Sequence, residues 1–63
     1  MTYYLITYPD NTKLMWKGQI KNEGNLVWLC KEGKRLWSVP CDAIRLLHPL
    51  EALVQKSEGV KEI

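Results

Sequence analysis

The run from Gly33 to Leu47 constrains the fold more than any other part of this 63-residue chain. Its first residues predict a strand, and the strand should end at Pro40, because proline cannot donate a hydrogen bond to a sheet. Residues 41–44 are too few for an α-helix and fit a single 3-10 turn. Residues 45–47 then leave room for a short closing strand.

Three further strands are predicted before this run. Residues 2–8 are rich in β-branched and aromatic side chains, which favour strands. Residues 13–22 alternate apolar and polar side chains, as a half-buried strand does, and Gly18 within them indicates a bend. Residues 26–30 are continuously apolar, so alternation leaves open which face is buried. Turns at intervals of about ten residues predict an antiparallel meander. A chain this short favours a small barrel over a two-sheet sandwich.

The segment after the closing strand predicts a short helix over residues 49–57. A proline at its first position and a glutamate two residues later are typical of a helix start. Leu50, Leu53 and Val54 share one face at helical spacing, and we expect this face to pack against the barrel. The last residues, 58–63, are expected to fray.

The end of the predicted barrel resembles the SH3-like barrels. In those barrels a strand that ends in an aliphatic residue and a proline leads into a 3-10 turn, whose aliphatic residue plugs the barrel before the last strand. Those places are held here by Val39, Pro40, Ile44 and Leu46. The expected fold is therefore mainly β: one domain over residues 1–63, with a five-stranded SH3-like barrel at about 2–47 and a short C-terminal helix. The resemblance implies no particular function, because such barrels serve unrelated functions.

Several classes of function lack their usual motifs in this chain. Cys30 and Cys41 do not have the spacing of a zinc site, and His48 is the only histidine. We expect both cysteines to be reduced, although a disulfide between them is geometrically open. We expect His48 to have a structural role, such as capping the helix, and not to bind a ligand. The sequence therefore predicts a binding module and not an enzyme, with no cofactor and no metal.

The formal net charge of +2 is unevenly distributed along the chain. Residues 1–47 carry seven Lys or Arg against four Asp or Glu, whereas residues 48–63 carry two against three. The basic excess thus lies in the predicted barrel, where it is compatible with a nucleic-acid partner. No stretch reaches transmembrane length and no signal peptide is recognisable, so we expect a cytoplasmic protein with no membrane partner.

Two sets of side chains make nucleic acid the first-ranked partner. Lys13, Lys17 and Lys21 alternate with Met15, and we expect them to form a stripe on the outer face of the second strand, able to lie along a phosphate backbone. The alternative is a solvated strand face, where lysines discourage edge pairing. The predicted interface consists of Lys13, Met15, Lys17, Lys21, Trp28, Lys34, Arg35 and Trp37.

The tryptophans are the second set. Three Trp and three Tyr are more than the interior of a small barrel easily holds. Trp16 is expected to face the core, whereas an exposed Trp28 or Trp37 beside the lysines would form a stacking platform or a minor-groove wedge. The alternative for each of these two tryptophans is packing in the core or against the helix.

The order of elements is also similar to that of the small archaeal chromatin proteins. Those proteins have an SH3-like barrel, a C-terminal helix and a triple-stranded sheet whose exposed aromatic and aliphatic residues enter the DNA minor groove, so the similarity implies DNA binding. The alternative function is a protein-interaction module, which would be a small subunit, an adaptor, an inhibitor or a homodimer. It is motivated by Leu26, Val27 and Leu29, which add more apolar surface than a tiny core needs.

Overall fold

The computed structural model describes residues 2–63, and within them it has seven strands, one 3-10 turn and one α-helix. The 3-10 turn η1 covers Cys41–Ala43, and the helix α1 covers Pro49–Ser57. The protein is therefore mainly β, as the sequence predicts. The strands are β1 (Tyr3–Thr7), β2 (Lys13–Lys17), β3 (Gln19–Glu23), β4 (Leu26–Lys31), β5 (Lys34–Pro40), β6 (Ile44–Leu47) and β7 (Lys61–Glu62).

The strands form two sheets. Sheet A has four strands in the order β6-β1-β2-β7, and sheet B has three in the order β3-β4-β5. Neighbouring strands are antiparallel, except that β7 runs parallel to β2. Within residues 2–63 no ladder of paired strands joins sheet A to sheet B, so the two sheets do not close into a continuous ring.

Gly18 divides the alternating run 13–22 into β2 and β3, which belong to different sheets. Its φ of +151° is a conformation that residues with a side chain rarely adopt. A Cβ at this position would lie 3.2 Å from Cζ2 of the Trp16 ring. The bend predicted from the glycine is confirmed, and it is sharp enough to make two strands where one was expected.

The larger buried cluster lies between the two sheets. Its members are Ile6, Trp16, Val27, Leu29 and Val39. The indole Nε1 of Trp16 donates a hydrogen bond to the backbone oxygen of Gln19 at 3.0 Å, which satisfies the one polar atom of that side chain. Trp16 thus faces the core as predicted, and Val39 is buried beside it. In β4 the open question is resolved: Val27 and Leu29 point inward.

A second buried cluster lies on the opposite face of sheet A, beneath α1. It consists of Leu5, Met15, Leu47 and Ala52. His48 separates β6 from α1, and its Nδ1 accepts a hydrogen bond from the N–H of Leu50 at 3.2 Å. The predicted helix boundaries and the capping role of His48 are both confirmed.

The helix faces sheet A with the side opposite to the one predicted. Ala52 is only 2% exposed, whereas Leu50, Leu53 and Val54 are 68%, 62% and 50% exposed. The physical reason is the one-residue link at His48. Since Leu47 is held in the buried cluster, the rotation of the helix that begins at Pro49 is already set.

Three polar contacts hold the helix in this rotation. Arg45 donates a hydrogen bond to Glu51 at 2.6 Å, which lowers the pKa of the Glu51 carboxyl and raises the pKa of Arg45. Lys56 lies 3.4 Å from the Tyr3 hydroxyl and 3.3 Å from the Glu62 carboxylate, and these two contacts raise the pKa of Lys56. Polar contacts therefore flank the buried Ala52 along the helix.

Part of the C-terminal end, which was expected to fray, forms β7. The chain turns at Gly59, whose φ is +90°, and runs back beside β2. The backbone N–H of Ile63 donates to the Met15 oxygen at 2.8 Å. This short strand covers the edge of β2 that β1 leaves free.

Candidate nucleic-acid interface

Trp28 lies at the centre of the solvent-facing side of sheet B. It is paired with Lys21 of β3 on one side and with Ser38 of β5 on the other. Because successive side chains of a strand point to opposite faces, and both neighbours of Trp28 point into the core, its ring points outward. The side chain is half-buried by its surroundings. We call this surface the Trp28 face; it comprises Lys21, Glu23, Trp28, Arg35 and Ser38.

Arg35 and Glu23 are the charged neighbours of the ring. The Arg35 guanidinium carbon lies over the Trp28 ring, 5.2 Å from its centroid. The same guanidinium donates two hydrogen bonds to the Glu23 carboxylate, at 3.1 Å and 2.5 Å. Lys21 Nζ lies 3.5 Å from that carboxylate. These charged side chains remain between 37% and 57% exposed, so water or a competing anion can reach them.

Two more cations stand at the end of the Trp28 face. Lys31 and Lys34 are paired across the turn that joins β4 to β5, and both are exposed. Neither forms an ion pair with any residue in the part of the chain that the structure describes. The basic surface therefore extends from Lys21 and Arg35 to the tip of this hairpin.

The lysine stripe predicted along residues 13–21 is not one surface. Because the chain bends at Gly18, Lys13 and Lys17 belong to sheet A, while Lys21 belongs to sheet B. Met15, which alternates with these lysines, is completely buried in the cluster beneath α1. The prediction that Met15 lies on an exposed binding surface is therefore wrong.

The other predicted residues divide between the two sides of sheet B. Trp28, Arg35 and Lys34 lie on the Trp28 face or at its end. Trp37 lies opposite the buried Leu29 and meets the Trp16 ring edge-on, with ring centroids 6.4 Å apart and planes at 61°. Trp37 is 36% exposed, and it packs at the edge of the core and not next to Trp28.

Glu23 is the member of the site that sequence reasoning missed. It lies twelve residues from Arg35 in the chain. Only the pairing of three strands brings the two side chains together across Trp28. A charge opposite in sign to its surroundings, at the end of a strand that also carries Lys21, is the single sequence signal that could have indicated it.

Cys30 and Cys41 are both free thiols. Among residues 2–63 no three His, Cys, Asp or Glu side chains come together as metal ligands, and no helix there has the length and apolar character needed to cross a membrane. An open cleft of about 270 Å³ is lined by Thr7, Tyr8, Pro9, Pro40, Asp42 and Ala43.

Comparisons of the chain with protein-family models, with curated proteins and with solved structures find no match. On the Trp28 face an outward indole ring lies among several exposed cations. On sheet A the half-buried Tyr3 ring also lies near two cations, with Lys17 Nζ at 5.8 Å and Lys56 Nζ at 5.0 Å from its centroid.

Proposed function

We propose that this protein binds nucleic acid through the Trp28 face. The observation that carries the proposal is the position of the Trp28 ring between Lys21 in the neighbouring strand and Arg35, whose guanidinium lies 5.2 Å from the ring centroid. Aromatic side chains on a sheet stack with bases, and the flanking cations of such sites contact phosphates. The same arrangement can insert a ring at the minor groove of a duplex.

The charges on and beside this face favour a polyanion. Four cations are close to the ring or at the hairpin tip, against two carboxylates: Lys21, Lys31, Lys34 and Arg35, with Glu23 and Glu32. In the free protein the Glu23 carboxylate accepts two hydrogen bonds from the guanidinium of Arg35. A phosphate offers the same two-oxygen geometry, so it can replace the carboxylate as the acceptor.

We also infer that sheets A and B are the two halves of an open SH3-like barrel. Three features support this inference: the bend at Gly18 that sends one run of chain into both sheets, the turn η1 after Pro40, and the return of β6 to pair with β1. An experimental solution structure in which residues 13–23 run straight through one sheet would contradict it.

We also propose that the protein is not an enzyme. We propose that it is located in the cytoplasm, because two free thiols are compatible with a reducing compartment.

Titration of labelled oligonucleotides tests the function. Single-stranded DNA, duplex DNA and RNA are titrated with the protein at two salt concentrations, and binding is read by fluorescence anisotropy. We expect affinity to fall steeply as salt rises, by about 0.9 log units per log unit of salt for each phosphate that is neutralised on a duplex. Trp28→Ala should weaken binding roughly 5-fold or more, since stacking is worth about 1–3 kcal/mol per base.

A matched pair of charge reversals separates the Trp28 face from a general charge effect. Lys21→Glu lies on the face, and Lys13→Glu makes the same change on sheet A, on the strand face that contains Met15. We expect Lys21→Glu to lower both the affinity and the salt slope, and Lys13→Glu to leave the salt slope unchanged. A flat salt response, or equal losses in both variants, contradicts the proposal.

A protein-interaction module is the second candidate function. One observation favours it: three large aliphatic side chains of α1 face solvent. This surface is separate from the Trp28 face, because sheet B and α1 cover opposite faces of sheet A. The two functions therefore do not compete for the same residues.

A further inference from the structure

The exposed side of α1 carries an apolar stripe that no other segment of residues 2–63 covers. It consists of Leu50, Leu53 and Val54, which are 68%, 62% and 50% exposed. Residues at this spacing form one continuous face of a helix. The nine residues of α1 span about 14 Å. Contiguous exposed aliphatic surface is a feature that protein interaction sites share.

We propose that a second copy of this chain covers the stripe, so that two chains form a two-fold dimer through α1. The charges beside the stripe identify the occupant. At 100° per residue, Glu51 and Glu58 fall on one flank of the stripe and Lys56 falls on the other. On the helix itself one flank is thus acidic and the other is basic. Glu51 is paired with Arg45 and Lys56 with Glu62 within the chain, but the Glu51 and Lys56 side chains remain 38% and 42% exposed and can also face a second chain.

The same charges select the orientation of the two helices. In a parallel two-fold pair, the acidic flank of each helix lies beside the basic flank of its partner, as at the edges of a parallel coiled coil. In an antiparallel pair, acidic flank would meet acidic flank and basic would meet basic. The parallel arrangement therefore satisfies both the stripe and its flanks.

The size of the stripe predicts a weak dimer. Each of the three side chains leaves on the order of 100 Å² of apolar surface in water. Two stripes together bury roughly 600 Å² before the flanks are counted, against about 1,200 Å² for a standard stable interface. Association should therefore depend strongly on protein concentration.

Measurement of mass against concentration tests the dimer. Sedimentation equilibrium of the wild-type protein, from about 10 μM to about 1 mM, should show a mass that rises from 7.4 kDa toward twice that value. Leu53→Glu places a charge in the stripe and should hold the mass at that of one chain. Circular dichroism of each variant reports whether it folds, and Val54→Lys replaces Leu53→Glu if that variant does not.

Leu46→Glu is the matched control. Leu46 is the same residue type with the same 62% exposure as Leu53, but it lies on β6 and not on α1. We expect this variant to associate as the wild-type protein does. A wild-type mass that stays at one chain up to about 1 mM, or a loss of association in Leu46→Glu with none in Leu53→Glu, overturns the proposal.

Crosslinking tests the orientation. Ser57 is the last residue of α1 and lies on the exposed side of the helix. With Cys30 and Cys41 replaced by serine, Ser57→Cys should form a disulfide-linked dimer on oxidation, because a parallel pair brings the two equivalent residues together. Lys34→Cys in the same background, at the hairpin tip, should stay unlinked. An unlinked Ser57→Cys in a sample that sediments as a dimer overturns the parallel arrangement.

Discussion

Glu23 determines how much positive charge the Trp28 face presents to a partner. Its carboxylate accepts two hydrogen bonds from Arg35 and lies 3.5 Å from Lys21. A phosphate that approaches the face has to compete with this carboxylate for both cations. Because all three side chains are partly exposed, the competition takes place in a well-screened environment and its cost is small.

Replacement of Glu23 by Gln should therefore raise the affinity for nucleic acid. The amide keeps the shape of the side chain but releases both cations, and we expect a gain of roughly 3-fold at low salt, as befits exposed ion pairs. Glu62→Gln is the control, since it also removes one negative charge and frees Lys56, which lies on the α1 side of sheet A. Equal gains in the two variants would show that only net charge matters.

Substitution of Gly18 should lower the free energy of unfolding most for so small a change in side chain. Gly18→Ala has to adopt a φ of +151° and brings a methyl group within 3.2 Å of Trp16, which is itself buried. We expect the free energy of unfolding, measured in urea, to fall by about 1–3 kcal/mol. In Gly24→Ala the φ is +62° and the new Cβ meets nothing within 4 Å, so its loss should be smaller. A larger loss at Gly24 would contradict this account.

At the scale of elements, the docking of α1 depends on polar contacts as well as on burial. The helix presents only Ala52 as a fully buried side chain, so the hydrophobic contribution of its inner face is small. The ion pair between Arg45 and Glu51 joins β6 to the first turn of the helix. It therefore contributes to holding the helix against the sheet.

This ion pair should make part of the stability depend on pH. The hydrogen bond from Arg45 lowers the pKa of Glu51 in the folded protein from its ordinary value of 4.5. A group of this kind stabilises the fold fully above its unfolded pKa, and its contribution is lost as the pH falls through the lowered folded value. We expect the melting temperature of the wild-type protein to fall more steeply below about pH 4.5 than that of Glu51→Gln. Glu58→Gln, in which the altered side chain forms no ion pair within residues 2–63, should follow the wild-type curve.

At the scale of the whole molecule, the two surfaces that we propose for binding lie on opposite sides. Sheet A has sheet B on one face and α1 on the other. The Trp28 face points away from sheet A on one side, and the stripe of Leu50, Leu53 and Val54 points away from it on the other. A dimer through α1 would thus leave both Trp28 faces exposed and directed away from each other.

Such a dimer should bridge two nucleic-acid molecules rather than clamp one, provided that both proposals hold. A biotinylated oligonucleotide on beads should capture a second, fluorescent oligonucleotide when the protein concentration is high enough for dimers. Leu53→Glu should still bind the beads but capture no second strand. Trp28→Ala, whose affinity should be roughly 5-fold lower or more, should bind the beads more weakly and capture less of the second strand at the same protein concentration. Capture of the second oligonucleotide by Leu53→Glu would show that bridging does not need α1.

Several boundaries of the elements were predictable from the sequence because they depend on local backbone chemistry, although one predicted strand is divided into β2 and β3, and β7 was not expected. Pro40 has no N–H for a ladder, and β5 ends there. Gly18 has no Cβ, and the chain bends there. The turn Cys41–Ala43 and the helix Pro49–Ser57 follow from residues that are neighbours in the chain. The inward direction of Trp16 was also predictable, since alternation along a strand is a local property.

The tertiary structure alone decided which side of α1 is covered and that the Met15 face of β2 is covered as well. Periodicity places Leu50, Leu53 and Val54 on one face of a helix, but the one-residue link after β6 rotates that face to solvent. Alternation groups Met15 with two lysines, but the helix that lies on this face buries Met15 completely. Both outcomes depend on contacts between segments distant in the chain, which no local pattern contains. For the same reason Lys21, Trp28 and Arg35 were predicted as separate candidates from the sequence. Only the register of the three paired strands brings them together on one surface, where Glu23 contacts both cations.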